Sequence, residues 1–579
     1  MSTGTAPQAP LVAHVRHQPG GDSITLKFSL LGSDRQLVRQ PTEELSRILV
    51  RIDRLLHPPS TKKIPKQGKK VKAKTVHQQL GKSTTTIQFR NGANELLSPT
   101  LSLGDALPRA ATLQIQEDIY NIVVNEPALL SLSLHAHTLM TGIPLLPTVE
   151  LEFCTPADCS WIWTRVANGT EPVVVGSTAV YTPSASDIGA SLCVTVTAPT
   201  GATLSSLSTT AVTAQPDRSV FAPRHAYAAT RSMDHLEGFR FMTYNILYAK
   251  YARAERTYNR MYPHAKPGIL FDHYRMPLVA LEMLEAGADI ICAQEMGEAI
   301  CQSYYLPLLQ GHGFDGEYAG KAGTTPEGLA IFYKTEVWAL TESHVLVFAD
   351  AVADVPPTSP LGLFLAAHPQ VALAVRSVPS VGHIALLRSK AAPTQALLVA
   401  NTHLFYRYDA DAVRLVQTVL LTRFLEAKKT ALEAATGLRI GVVITGDLNA
   451  LPEAIAAQFL TTGAVDTNHR HWAAASAFEW SPDQSSNEAV PWPADAPQKL
   501  VHSLALASAC GQPEFTHFVK NHEFTFIGTL DHILVDTSAL APAGHFPFFS
   551  LEAASHETSL PSTTFPSDHV SLVADVRFV

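Results

Sequence analysis

Eight polar residues stand where apolar runs stop, and their types suit a phosphate or a hard cation. The clearest pair lies in Val442-Val443-Ile444-Thr445-Gly446-Asp447-Leu448-Asn449. The β-branched run reads as a buried strand, and Gly446 lets the chain turn at its end. Asp447 and Asn449 flank Leu448, so period-two alternation sets both polar groups on one side. A carboxylate beside a carboxamide suits a cation or a phosphate, although the same pair closes many strands as a plain Asx turn. The other six are Asn245, Glu295, His403, Asp531, Asp568 and His569. Singly they read as a cap, a solvated carboxylate or a packed histidine. Together they gather carboxylates, amides and imidazoles without a cysteine. Oxygen donors without thiolate favour magnesium, with manganese as its substitute, over zinc.

The elements that must position them alternate between strand and helix from residue 236 to 579. Phe239–Tyr244, Asp289–Gln294, Gly328–Tyr333, Ala396–Ala400 and Val442–Ile444 read as strands, as do the runs around Leu530–Val535 and Ser567–Val573. Met276–Ala286 and Ala410–Glu433 carry helical apolar spacing, the first closed by Gly287. Helices alternating with buried strands predict a layered α/β domain, and such folds place sites at strand ends.

Ahead of it the chain is β-rich. Residues 1–127 predict a small strand-rich region, with a strand at Ser23–Leu30 and a helix at Glu43–Leu56 stopped by Pro58-Pro59. Lys62–Lys74 carries seven lysines and reads as a solvated loop or an RNA-attracting tether. Residues 128–214 predict an immunoglobulin-like sandwich, with a corner at Tyr181–Gly189. Trp161 and Trp163 share one strand face, as core packing or as a base-stacking platform. Residues 215–235, with Pro216 and Pro223, read as a linker.

A chain of 579 residues is too long for one core. Its net charge of −8 argues against a protein that coats nucleic acid, though not against a local basic groove. No apolar run reaches the roughly 18–20 residues that cross a bilayer. The six cysteines show no CxxC spacing, which predicts free thiols. The first acid is Asp22, and Arg16 with several Ser and Thr gives a faint transit-peptide composition.

Tyr244-Asn245-Ile246-Leu247, Gln294-Glu295, Asn401-Thr402-His403-Leu404, Gly446-Asp447-Leu448-Asn449, Leu530-Asp531-His532-Ile533 and Pro566-Ser567-Asp568-His569 occur in one order. That order resembles the endonuclease/exonuclease/phosphatase superfamily, a two-sheet sandwich flanked by helices. Glu327-Gly328-Leu329-Ala330, and Arg414 with Gln417, look like its deadenylase branch. The β-rich half, with Ser508–Pro513, is similar to mitochondrial members that trim 2′,5′-linked oligoadenylate. The resemblance departs at Phe405-Tyr406-Arg407-Tyr408 and at His532, where the family commonly has other residues.

The resemblance implies magnesium-dependent exonucleolytic hydrolysis of single-stranded 2′,5′-oligoadenylate and 3′,5′-poly(A) to AMP, in the mitochondrial matrix or alternatively the cytoplasm, with no required protein partner. It implies Glu295 as principal metal ligand, with Asn245, Asp447, Asn449 and Asp568 around the metal. Asp447 or His569 would be the base, with Asp531 orienting His569. His403, Asn401 and Asn449 would bind the phosphate. Phe405, Tyr406 and Arg414 would contact the substrate, with Tyr408 as a further stacking ring. A dinucleotide 2′-phosphatase of the nocturnin type, an endonuclease, and an inactive RNA-binding scaffold stay open beside this reading.

Overall fold

The computed structural model describes residues 10–57, 85–134, 138–167, 169–230, 238–253, 261–480, 489–496 and 498–579. The chain divides into two compact units. One comprises 1–133, 148–162 and 194–206; the other comprises 134–147, 163–193 and 207–579. The stretch 128–214 is thus shared between them.

The first unit holds a six-stranded sheet in the order Ser33–Arg39, Ile24–Leu30, Leu11–His17, Asp118–Val124, Ala110–Ile115, Ile87–Asn91. Alternation in Ile24–Leu30 buries Ile24, Leu26, Phe28 and Leu30 on one face. The helix Leu45–Leu56 sets Leu45, Ile48 and Ile52 into the same core, as its spacing predicts. The lysine-rich segment 62–74 lies outside the described residues.

Residues 128–214 form a two-stranded sheet, Ala128–Ser133 with Thr148–Glu152, and a four-stranded one. Both tryptophans of the Ser160–Val166 strand are buried, and each indole N–H donates to a carbonyl, Trp161 to Pro156 and Trp163 to Thr178. They are packing residues; no base can reach a ring so enclosed. The corner at Tyr181 is built as a hydrogen bond from its hydroxyl to Asp187 (2.7 Å), with the ring stacked on Trp163. Residues read as a linker instead fold, as Ser219–Phe221 and the helix Ala222–Thr230. Arg224 donates to the Ser571 carbonyl and hydroxyl, and Tyr227 to Asp575, so side chains tie this segment down despite its prolines.

The second unit is a sandwich of two six-stranded sheets. One runs Phe314–Gly320, Glu327–Lys334, Ile290–Gly297, Phe239–Asn245, Leu572–Phe578, Leu540–His545. Its partner runs Trp338–Val347, Val381–Ser389, Gln395–His403, Arg439–Asp447, Asp531–Asp536, Leu506–Ser508. Period two sorts the strand residues between layers. Phe239, Phe241, Cys292 and Ile331 meet Leu397, Val399, Val443 and Ile533 between the sheets. The alternate residues Leu398, Val442 and Ile444 face outward against Leu415, Val416 and Val419 of the helix Asp411–Thr436. On the far side Met242, Tyr244 and Ile291 pack on Met276, Val279 and Met283 of the helix Asp272–Glu285. Each such buried side chain contributes about 1.5–3 kcal/mol. Burial on both faces explains why these strands read as continuous apolar runs. None of the six cysteines is in a disulfide.

Candidate active site

Three ligand-type residues stand opposite one another on adjacent strands. His403 pairs with Asp447 in the parallel ladder, and Asp447 with Asp531 in the antiparallel one. Register therefore fixes a row of imidazole, carboxylate and carboxylate. Asp447 Oδ2 lies 3.5 Å from His403 Nε2. Gly446 permits the row: its φ is +129°, and a Cβ there would sit 2.0 Å from the Thr402 carbonyl oxygen. Beyond it Asn449 takes φ +48°, donates its amide N–H to Asp447 Oδ1 (2.9 Å) and its side-chain N–H to the Leu404 carbonyl (3.0 Å).

The facing sheet supplies Asn245 and Glu295. Asn245 pairs with Gln294, and the ladder slips by one residue between Gln294 and Met296. Glu295 is the extra residue, at φ +58°. A bulge turns its carboxylate toward the strand ends instead of into a layer. Asn245 Nδ2 donates to Glu295 Oε1 and Asp447 Oδ2, 3.0 Å each, so one amide joins the two sheets. The Tyr248 N–H holds Glu295 Oε2 at 2.7 Å. Buried Arg275 donates to the carbonyls of Ile246, Leu247 and Pro566, clamping the loops on either side.

The Ser567-Asp568-His569 segment closes the site. Ser567 donates its hydroxyl to the Asn245 carbonyl (2.7 Å). His569 Nδ1 lies 2.7 Å from Asp531 Oδ2, and its Nε2 lies 3.7 Å from Asp447 Oδ2. Asp568 Oδ2 accepts from the Tyr262 hydroxyl (2.6 Å) and stands 3.3 Å from His517 Nε2.

Burial sets the charges. It pushes the Asp447 carboxyl up to about 6, with Asp531 adding to the shift and His569 opposing it. Burial and then Asp568 raise Glu295 as well. For His569 burial acts downward, but Asp531 and Asp447 outweigh it and hold the imidazolium up to about 10. Asp568 is held below the usual carboxylate range against its burial, by His517 first and His569 next. Three buried carboxylates, Asp447, Asp531 and Asp568, converge here with the half-buried Glu295, and Asp531 Oδ1 has no hydrogen-bond partner. This oxygen-rich, under-neutralised donor set fits a divalent cation. Glu295, Asp447, Asn449, Asn245 and Asp568 are the residues that would hold it.

Across the row His403 has a different neighbour. Lys321 Nζ lies 3.2 Å from its Nδ1 and 2.5 Å from Glu327 Oε1. An ammonium only donates, so Nδ1 accepts and the ring proton sits on Nε2, facing Asp447. Burial pushes His403 well below its ordinary range, and Lys321 adds to that. Burial raises Glu327 to about 7, with Lys321 opposing it.

The structure brings together Asn245, Glu295, His403, Asp447, Asn449, Asp531, Asp568 and His569. Three expected substrate contacts are placed elsewhere. Asn401 is buried between the sheets; its amide donates to the Ala293 and Ala330 carbonyls and its oxygen accepts from Gln294. It has nothing left for a phosphate and acts as a bolt across the sandwich. Arg414 is likewise buried, donating to the carbonyls of Phe405 and Arg407 and to Asp411, so it shapes the loop after His403. In that loop Phe405, expected as a substrate contact, is instead buried in the core against Trp480, while Tyr406 and Tyr408 are 75% and 91% exposed. Sequence reasoning missed Lys321, Tyr262 and His517 as site residues and gave Glu327 no role. None of the three lies at the end of a long apolar run, and only the fold brings them in.

A family model described as the Endonuclease/Exonuclease/phosphatase family matches residues 242–569. The Homo sapiens protein named 2',5'-phosphodiesterase 12 is 28% identical over 615 aligned residues, 99% of this chain and 95% of its own. The Rattus norvegicus protein of that name is 28% identical over 614, covering 100% and 96%. The CCR4-Not complex 3'-5'-exoribonuclease subunit Ccr4 of Mycosarcoma maydis is 26% identical over 383, covering 61% and 52%.

Proposed function

The chain belongs to the endonuclease/exonuclease/phosphatase family and is a hydrolase of phosphodiester bonds, and on that premise we propose that it is a magnesium-dependent 3′-exoribonuclease releasing AMP from single-stranded oligoadenylate, on both 2′,5′ and 3′,5′ linkages. The observation that carries the reading is the cross-strand row His403–Asp447–Asp531, faced by Glu295 and closed by His569. The relatives' names give the linkages their chemistry: a 2',5'-phosphodiesterase and a 3'-5'-exoribonuclease.

Magnesium, when bound, neutralises charge building on the phosphoryl and leaving oxygens. The residues of the chain do the rest. Asp447 Oδ2 and His569 Nε2 face one another across 3.7 Å, so that Asp447 positions water and takes its proton while the charged His569 donates from Nε2. Asp531 holds His569 by Nδ1, which leaves Nε2 toward the reaction. His403 donates from Nε2 to a phosphate oxygen, its tautomer fixed by Lys321. Tyr406 and Tyr408 offer exposed rings after His403, where stacking on adenine contributes roughly 1–3 kcal/mol per base. By the resemblance, the same reading carries a mitochondrial matrix location; import of a tagged full-length chain into isolated mitochondria tests it.

The deciding experiment compares hydrolysis of 2′,5′-triadenylate and 3′,5′-oligoadenylate in magnesium and in EDTA. AMP should grow from the first time point on both, and EDTA should stop it. Internal fragments without early AMP would overturn the exonuclease reading; undiminished turnover in EDTA would overturn the metal.

A further inference from the structure

We propose that His517, Asp568 and His569 form a second, softer metal site that takes zinc and thereby switches the enzyme off. Each of the three offers one ligand atom, and those atoms lie within 4.8 Å of one another. Backbone fixes the arrangement. His517 and His569 face each other in an antiparallel bridge, bound by Phe518 N–H to the Asp568 carbonyl (3.1 Å) and Val570 N–H to the Thr516 carbonyl (2.8 Å). The two imidazoles consequently stack, with ring centres 4.4 Å apart and planes at 28°.

The donor chemistry differs from that of the oxygen-rich set beside it, with which it shares Asp568. Two imidazoles and a carboxylate are the three-ligand set that zinc takes while keeping a fourth position open, and at equal access zinc outcompetes hard cations for nitrogen. Ligands about 2.0–2.1 Å from a tetrahedral centre stand roughly 3.3 Å apart. His517 Nε2 and Asp568 Oδ2 stand at that separation, 3.3 Å. His569 already gives Nδ1 to Asp531 (2.7 Å), the carboxylate support that metal-binding histidines use, so the ion takes Nε2 by displacing its proton. Tyr262 shares Asp568 Oδ2, so the carboxylate is anchored before any ion arrives. His517 Nδ1 is buried and has no partner, so its position is not explained by hydrogen bonding on that side.

Zinc held here displaces the proton of His569 Nε2, the group assigned above to act beside Asp447. The inhibition thus rests on the proposed role of His569, while the binding does not. The test separates the two. Metal-stripped full-length protein is titrated with zinc alone against a chromophoric chelator. Wild type should bind one zinc at least tenfold more tightly than His517→Asn. X-ray absorption of the zinc-loaded wild type should show imidazole scattering. In magnesium-supported oligoadenylate hydrolysis, the half-inhibitory zinc concentration should rise by the same factor in His517→Asn, each protein being referred to its own zinc-free rate. Should the asparagine variant not fold, His517→Gln replaces it. Equal zinc affinity in either folded variant, or a zinc shell without imidazole, would overturn the site. Tight zinc binding without loss of rate would overturn the switch. A protein that binds zinc as stated but never cleaves oligoadenylate would count against the substrate reading, leaving the metal site standing.

Discussion

The two sides of the cleft use the same residue types to opposite effect. On one side an imidazole, His569, meets a carboxylate, Asp531, directly at 2.7 Å. On the other an imidazole, His403, and a carboxylate, Glu327, are separated by Lys321, which touches both. Burial alone would make both rings neutral. Asp531 and Asp447 reverse that for His569, whereas Lys321 deepens it for His403. Whether a buried histidine carries charge is set by the balance of the charged groups next to it. One side is therefore equipped to exchange a proton, and the other to donate a fixed hydrogen bond.

That contrast can be broken in order of severity. Glu295→Ala removes the carboxylate both sides depend on for the cation, and turnover should fall roughly 10³-fold or more with the fold intact. Residual activity within tenfold of wild type would remove Glu295 from the metal. Asp531→Asn acts on the His569 side; loss of the oriented imidazolium should lower kcat/KM by about 10²-fold. Lys321→Met acts only on the His403 side. Losing a charged hydrogen bond there should lower kcat/KM by about tenfold, with Lys321→Arg retaining most of it. Nitrogen NMR should then find His403 no longer held as the Nε2–H tautomer; an unmoved spectrum would show that Lys321 is not what fixes it.

The smallest effect is read in stability. His569 is raised above its unfolded value of 6.5 to about 10, so its charged form stabilises the fold fully below about pH 6.5, and that contribution is lost as pH climbs through about 10. Melting temperature of the metal-free protein should fall across that window, and Asp531→Asn should flatten the fall. An unchanged slope would place the source elsewhere.

Much of this site was legible as strand parity. Asp447 and Asn449, and the ends at Asn245, Glu295 and His403, followed from apolar runs that stop at polar residues. Parity does not tell depth, however. Asn401 shares a face with His403 but lies two residues earlier, about 7 Å further in, where the other sheet and not the substrate meets it. Nor does parity show a bulge, so the reason Glu295 points at the site was invisible. Arg414 looked available because it is charged; the carbonyls that consume it belong to an irregular loop with no periodicity to read. Lys321 lies just past the Phe314–Gly320 strand, in the connection leading to Glu327–Lys334, and its partner His403 is 82 residues away in sequence.

The row His403–Asp447–Asp531 is held by the backbone ladder itself, whereas Lys321 hangs from a connection between two strands. Amide protons along the ladder should exchange with solvent only when the whole sandwich opens, and those near Lys321 through smaller, cheaper openings. Gentle denaturant or heat should accordingly produce a population whose carboxylates are still in register but whose His403 has lost its fixed donor. Such an enzyme would keep its assembled row and its metal affinity while its rate declined, so inactivation should precede unfolding by any probe that reports only on the sheets.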